Sequence, residues 1–200
     1  MANANRPSGL TPVRYLNAAK WTGGGRVYCI PSTDSTNAYA IGDPVVLAGS
    51  ADSAGVATVV LATAGSGLTG VIVSMGGTKY GSGYYDPTNL NTTIVPQSKS
   101  RNYYVLVEDD PNVIYTVQEI GTGTALAAAD VGLNCNLVAG TNNGYVSGWL
   151  LTNTTEATTS TLDVKLLGLA QTTEPNAFGA YAKWNVIINN HSYRTGITGV

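Results

Sequence analysis

Apolar residues along the chain fall in short runs instead of recurring at helical spacing. Val, Ile, Leu and Tyr cluster over a few positions and are then interrupted by Gly, Pro, Asn or Asp, the pattern of successive β-strands joined by tight turns. The runs predict strands over residues 26–30, 45–48, 56–63, 70–75, 92–95, 103–108, 113–119, 133–138, 161–169 and 184–189. Within 161–169, Leu162, Val164 and Leu166 alternate with Asp163 and Lys165, which places the first set on a core and the second in water. Residues 71–73 and 105–107 are continuously apolar, as in strands covered on both faces.

Turn chemistry separates these runs. Gly42-Asp43-Pro44, Gly76-Gly77, Asp86-Pro87, Asp110-Pro111-Asn112 and Asn142-Asn143-Gly144 restrict φ or tolerate positive φ. The one helical candidate, 125–129, is too short to stand without tertiary support. The expected fold is therefore all-β: a compact β-barrel, or a jelly roll or sandwich, with an extended N-terminal arm. The arm is expected over residues 1–12 and a single β-rich domain over 13–200. Two Pro, two Asn, a Ser and a Gly among residues 3–12 argue against a regular element forming there alone.

Composition narrows the function classes. Only 11% of residues are charged, against about 25% in an ordinary soluble domain, so Thr, Asn, Ser, Gly and Tyr must cover the surface. The net charge of −2 and a pI near 5.2 disfavour nucleic-acid and anionic-membrane partners, which select a basic face. Lys and Arg are scattered singly, apart from Lys99 and Arg101. No stretch reaches the roughly 18 apolar residues of a membrane span, and the N-terminus lacks a signal-like apolar run. Synthesis and folding in the cytoplasm are expected, with the sequons at Asn91, Asn153 and Asn190 as accidental matches.

Candidate chemistry is sparse. Gly65, Gly67 and Gly70 form a literal GxGxxG, with Asp86 further on, but a strand-like run follows where a phosphate-binding loop needs a helix. A glycine-rich hairpin loop is the better reading. Glu108, Asp109 and Asp110 are explained as solvated residues of a turn, not as a calcium site, their spacing being foreign to an EF-hand. The single histidine, His191, has no GxSxG elbow to serve and reads as a strand-end residue satisfied by neighbours. Cys29 and Cys135 have no zinc-binding spacing and read as buried thiols. No cofactor, metal or catalytic residue is expected.

Larger segments carry a resemblance. YAIGDPV at 39–45, YYVLVEDDPNVIYTVQE at 103–119, GLNCNLVAGT at 132–141, TLDVKLLGLAQ at 161–171 and AYAKWNVIINNHSYR at 180–194 together resemble the capsid cement, or head decoration, proteins of tailed phages. The resemblance implies a non-enzymatic virion protein on the outer surface of the expanded capsid, bridging subunits of the major capsid protein as a dimer or trimer, without nucleic acid or membrane as partner. The contacts expected are the arm residues Asn3, Asn5, Arg6 and Leu10 and the tyrosines Tyr80, Tyr84 and Tyr85. A tail or fibre module that binds a host-surface glycan is the alternative.

Overall fold

The computed structural model describes residues 3–76, 93–172 and 174–194. It is an all-β protein whose strands form a closed five-stranded barrel and a separate five-stranded sheet. The barrel comprises β2 (Arg26–Ile30), β4 (Pro44–Ala51), β5 (Ala57–Leu61), β6 (Gly70–Met75) and β8 (Tyr103–Glu108), in the order β2-β5-β4-β6-β8. The β2–β5 pair is parallel and the other contacts are antiparallel. The sheet comprises β1 (Thr11–Tyr15), β9 (Val113–Gln118), β10 (Asn134–Cys135), β13 (Val164–Leu169) and β14 (Lys183–Ile188), in the antiparallel order β1-β9-β14-β13-β10. Two small pairs complete the described fold, β3 (Tyr39–Ala40) with β7 (Ile94–Val95) and β11 (Leu137–Val138) with β12 (Leu150–Leu151).

Period-two alternation builds both cores. Val113, Tyr115 and Val117 of β9, Trp184, Val186 and Ile188 of β14, and Val164 and Leu166 of β13 pack in one cluster on the inner face of the sheet. Tyr28, Ile30, Val45, Val59, Val105 and Val107 form a second cluster inside the barrel. Strand β6 is the wall between them: Val71 belongs to the sheet core and its neighbour Ile72 to the barrel core. A strand sandwiched between two cores needs apolar residues on both faces, which accounts for the unbroken run at 71–73.

The edges of the sheet are covered in ways the strand pattern did not reveal. At β1, Pro12 and a bulge between Pro12 and Arg14 disturb the ladder, and Arg14 bridges to Lys20 on the outer side. At β10, Asn134 bridges to Ala157. Pro, bulges and short returns are devices that prevent an edge from pairing with another chain.

Several expectations are corrected. Strand β1 starts inside the segment assigned to an arm. The predicted strand at 161–169 starts at Val164, and Asp163 before it is buried, not solvated. The Gly65–Gly70 segment is no hairpin loop, because β4 lies between β5 and β6 in the barrel. The alanine-rich stretch yields only the 3-10 turn Ala128–Asp130.

Buried ionisable groups hold irregular backbone in place. Asp163 accepts hydrogen bonds from the backbone N–H groups of Gly65 (2.9 Å) and Leu137 (2.8 Å), joining the barrel loop to the sheet. Lys99, its side chain fully covered, donates from Nζ to the carbonyls of Asp34 (2.6 Å), Asn37 (2.7 Å) and Gln97 (3.2 Å) and lies 5.1 Å from the Tyr39 ring centroid. Glu119, directly after β9, accepts from Leu126 N (2.9 Å), Asn153 Nδ2 (3.1 Å) and Trp184 Nε1 (3.0 Å). Burial pushes its carboxyl pKa upward, against the pull of these donors. Glutamine at 119 would turn an amide N–H₂ toward a donor, so Glu119→Gln is expected to lower unfolding stability by roughly 1–3 kcal/mol; urea denaturation checks this, and an unchanged midpoint would refute it.

Candidate interaction surface

The N-terminal segment lies along the end of the sheet. The Asn3 side chain donates to the carbonyls of Ala177 (2.9 Å) and Ala180 (3.0 Å) and accepts from Ala177 N (3.1 Å). Asn5 Oδ1 accepts from Gln118 Nε2 (2.9 Å), and Arg6 N donates to Gln118 Oε1 (2.8 Å). The Arg6 guanidinium reaches Glu174 at 3.1 Å, and Lys183 Nζ lies 3.8 Å from the other oxygen of that carboxylate.

Leu10 belongs elsewhere: it is 1% exposed and part of the sheet core. It is corrected from a partner contact to a core anchor. Its placement depends on two glycines. Leu10 N donates to Gly42 O (3.0 Å). Gly9 and Gly42 have φ of +64° and +95°, and a Cβ on either would fall 2.3 Å from a backbone oxygen of the other segment. Only glycine allows that approach in that conformation.

Asn3, Asn5 and Arg6 are thus gathered on one rim, where two grooves flank the segment. One, of about 430 Å³, is lined by Asn5, Arg6, Pro7, Thr141, Asn143 and Ser147. The other, of about 300 Å³, runs over the sheet past Arg6, Thr11, Thr116, Gln118 and Lys183. Both mix hydroxyls, amides and a few cations with apolar side chains, Val13 and Val117 in the one over the sheet and Pro7 in the other, a composition that docks a protein surface through hydrogen bonds and apolar contact. The expected contacts Tyr80, Tyr84 and Tyr85 lie outside the described residues, as does Asp86. Tyr145, 67% exposed at the Asn142-Asn143-Gly144 turn, was not singled out from sequence, although that turn signal already marked an exposed loop.

The remaining sequence candidates have structural surroundings. Glu108 is buried and accepts from Trp21 Nε1 and from Asp110 N (3.1 Å), so it is not solvated as expected. Asp109 accepts from Tyr28 Oη (2.7 Å) and lies 3.4 Å from Arg26. Asp110 caps the Asn112 turn at 2.8 Å. Cys29 on β2 and Cys135 on β10 are buried on different sheets, and burial pushes the Cys135 thiol up to about 12. His191, fully buried after β14 and bridged to Leu68, accepts from Tyr193 N at Nδ1 (3.0 Å). Its Nε2 has no hydrogen-bond partner among the described residues, which corrects the expectation of a fully satisfied ring.

Comparison with known proteins finds no matching family model, no matching curated protein and no matching solved structure.

Anchor and surface residues of the N-terminal segment separate by stability. Leu10→Ala is expected to cost about 2–5 kcal/mol, and Arg6→Ala, which removes an exposed ion pair, less than about 1 kcal/mol; equal losses on chemical denaturation would contradict this placement. Burial, aided by Arg194, holds the His191 imidazole down at about 4, while Asp109 and Asp110 pull the other way. Between pH 6.5 and 4 the unfolded chain takes up a proton that the folded histidine refuses, so acidification destabilises the wild type. The stability difference between wild type and His191→Leu is expected to shift in favour of the variant over that interval. Burial raises Asp43 and Asp163 to about 6, an opposite effect common to both proteins that cancels in the difference. A difference independent of pH in thermal melts would exclude the effect.

Proposed function

We propose that the chain is a non-enzymatic structural protein of the tailed-phage virion, a cement protein that binds the exterior of the expanded capsid and stabilises contacts between major capsid protein subunits. The observation that carries the reading is the distribution of polar groups. The buried ionisable side chains Asp43, Lys99, Glu108, Glu119 and Asp163 each bind backbone groups that hold loops and strands in place. Around the anchored N-terminal segment the groups presented outward are hydroxyls, amides and a few cations, and the surface also carries scattered apolar side chains such as Leu16 and Phe178 and the tyrosines Tyr145 and Tyr193. This is a surface suited to binding without turnover. The sequence resemblance to phage cement proteins supplies the identity of the partner.

Retention on a shell under internal pressure follows from repetition. Each copy makes modest contacts, and a dimer or trimer engaging several sites at once converts them into avidity far above that of one contact. Rigid edge-covered sheets suit this role, since a surface that does not rearrange loses less entropy on docking.

Co-sedimentation with expanded capsids that lack the protein, beside unexpanded procapsids, tests the assignment. Saturable binding to expanded shells alone is expected. Binding to neither shell, together with binding of the isolated oligomer to immobilised host glycans, would replace it with the tail or fibre reading.

A further inference from the structure

Cations that are dispersed in sequence converge on the outer face of the five-stranded sheet. Strand register places Arg14, Ile114, Ile187, Lys165 and Asn134 in one row across all five strands, with Lys20 bridged to Arg14 at the end of the row. Four positions along β14, on the same face, Lys183 pairs with Gln118, the residue that also accepts from Arg6. The alternate residues of these strands form the sheet core, so this row faces away from it. None of the five strands contains Asp or Glu. The Glu174 carboxylate lies between Arg6 and Lys183.

Such segregation is unexpected in a chain of net charge −2. Arg6, Arg14, Lys20, Lys165 and Lys183, five of the chain's ten Lys and Arg, lie on or beside this face. At the centre of the row Ile114 and Ile187 are each only 5% exposed; Arg14 and Lys165 beside them have stems long enough to cover apolar surface while their charges stay in water. Cations spaced over a covered apolar layer, with the 300 Å³ groove beside Arg6 and Lys183, have the make-up of a surface whose charges orient the partner.

We propose that this face docks an acidic protein surface, with Arg14, Lys20, Lys165 and Lys183 pairing with its carboxylates. The proposal rests on the cement reading only for the identity of that surface, which would be the outer face of the capsid subunits. A sheet face with cations spaced across several strands fits a folded acidic surface better than a nucleic-acid groove, and the low overall charge limits steering to this one side.

The test uses the full chain. Wild type, R14E/K165E and the control R26E/R101E, which makes the same change in net charge on the barrel, are compared after melting curves confirm folding. Each is measured for co-sedimentation with expanded capsids and for retention on immobilised poly-L-glutamate and on duplex DNA. R14E/K165E is expected to weaken binding to capsids and to poly-L-glutamate by roughly tenfold or more, with R26E/R101E unchanged. For wild type, retention on poly-L-glutamate should fall as salt rises, a readout that needs no variant. Capsid binding equal in wild type and R14E/K165E would overturn the docking face and leave the cement reading standing. Absence of capsid binding, with retention on poly-L-glutamate still dependent on Arg14 and Lys165, would remove the cement reading and keep the face. Tighter retention on DNA than on poly-L-glutamate, or a wild-type dimer dissolved by R14E/K165E, would overturn the choice of an acidic protein partner.

Discussion

Register between β9 and β14 is the constraint on which the rest of the sheet depends. β14 is the central strand and β9 one of its two neighbours, and their register decides which side chains meet on the core face and which on the outer face. A slip of one residue would move Trp184, Val186 and Ile188 outward and bring Lys183, Asn185 and Ile187 against the core. Glu119 pins the pair at one end: its backbone N–H bonds to Ala182 O (2.8 Å) and its carboxylate to the Trp184 indole. At the far end of β14, on its β13 side, Asn189 N bonds to Asp163 O (2.8 Å), while the Asp163 carboxylate reaches the barrel loop. The two buried acids therefore act as stops on the two sides of β14, Glu119 at the start of its ladder with β9 and Asp163 at the end of its ladder with β13.

The barrel and the sheet are coupled through shared elements. Strand β6 contributes to both cores, Leu68 before it bridges to His191 after β14, and Tyr115 Oη of the sheet donates to Glu108 O of the barrel (3.2 Å). Leu68, His191 and Glu108 lie at strand ends, where the backbone changes direction and would otherwise leave polar groups unpaired. Burial of Asp43, Asp163 and His191 in this arrangement produces their displaced titration. The ionisable residues of the interior are thus understood as parts of the framework. The outer sheet face and the anchored N-terminal rim are the surfaces proposed above to meet a partner.

Local patterning is enough to read the all-β class and the positions of most long strands. The runs at 26–30, 70–75 and 103–108 coincide with β2, β6 and β8, because alternation, β-branching and flanking Gly or Pro act over only a few residues. The same locality makes the low charge and the absence of a nucleotide-binding helix legible. What lies beyond it is partnership. The parallel β2–β5 contact, closure of the barrel, the burial of Leu10, Glu108 and Asp163, and the covering of both sheet edges depend on segments up to a hundred or more positions apart. So does the cationic row: Arg14 and Lys165 look isolated along the chain, and Lys99, which seemed to begin a basic stretch, is withdrawn into a carbonyl cage. Which face a residue occupies follows from its own strand, but what stands beside it is set by long-range pairing and the burial that rewards it, and those exist only in the folded chain.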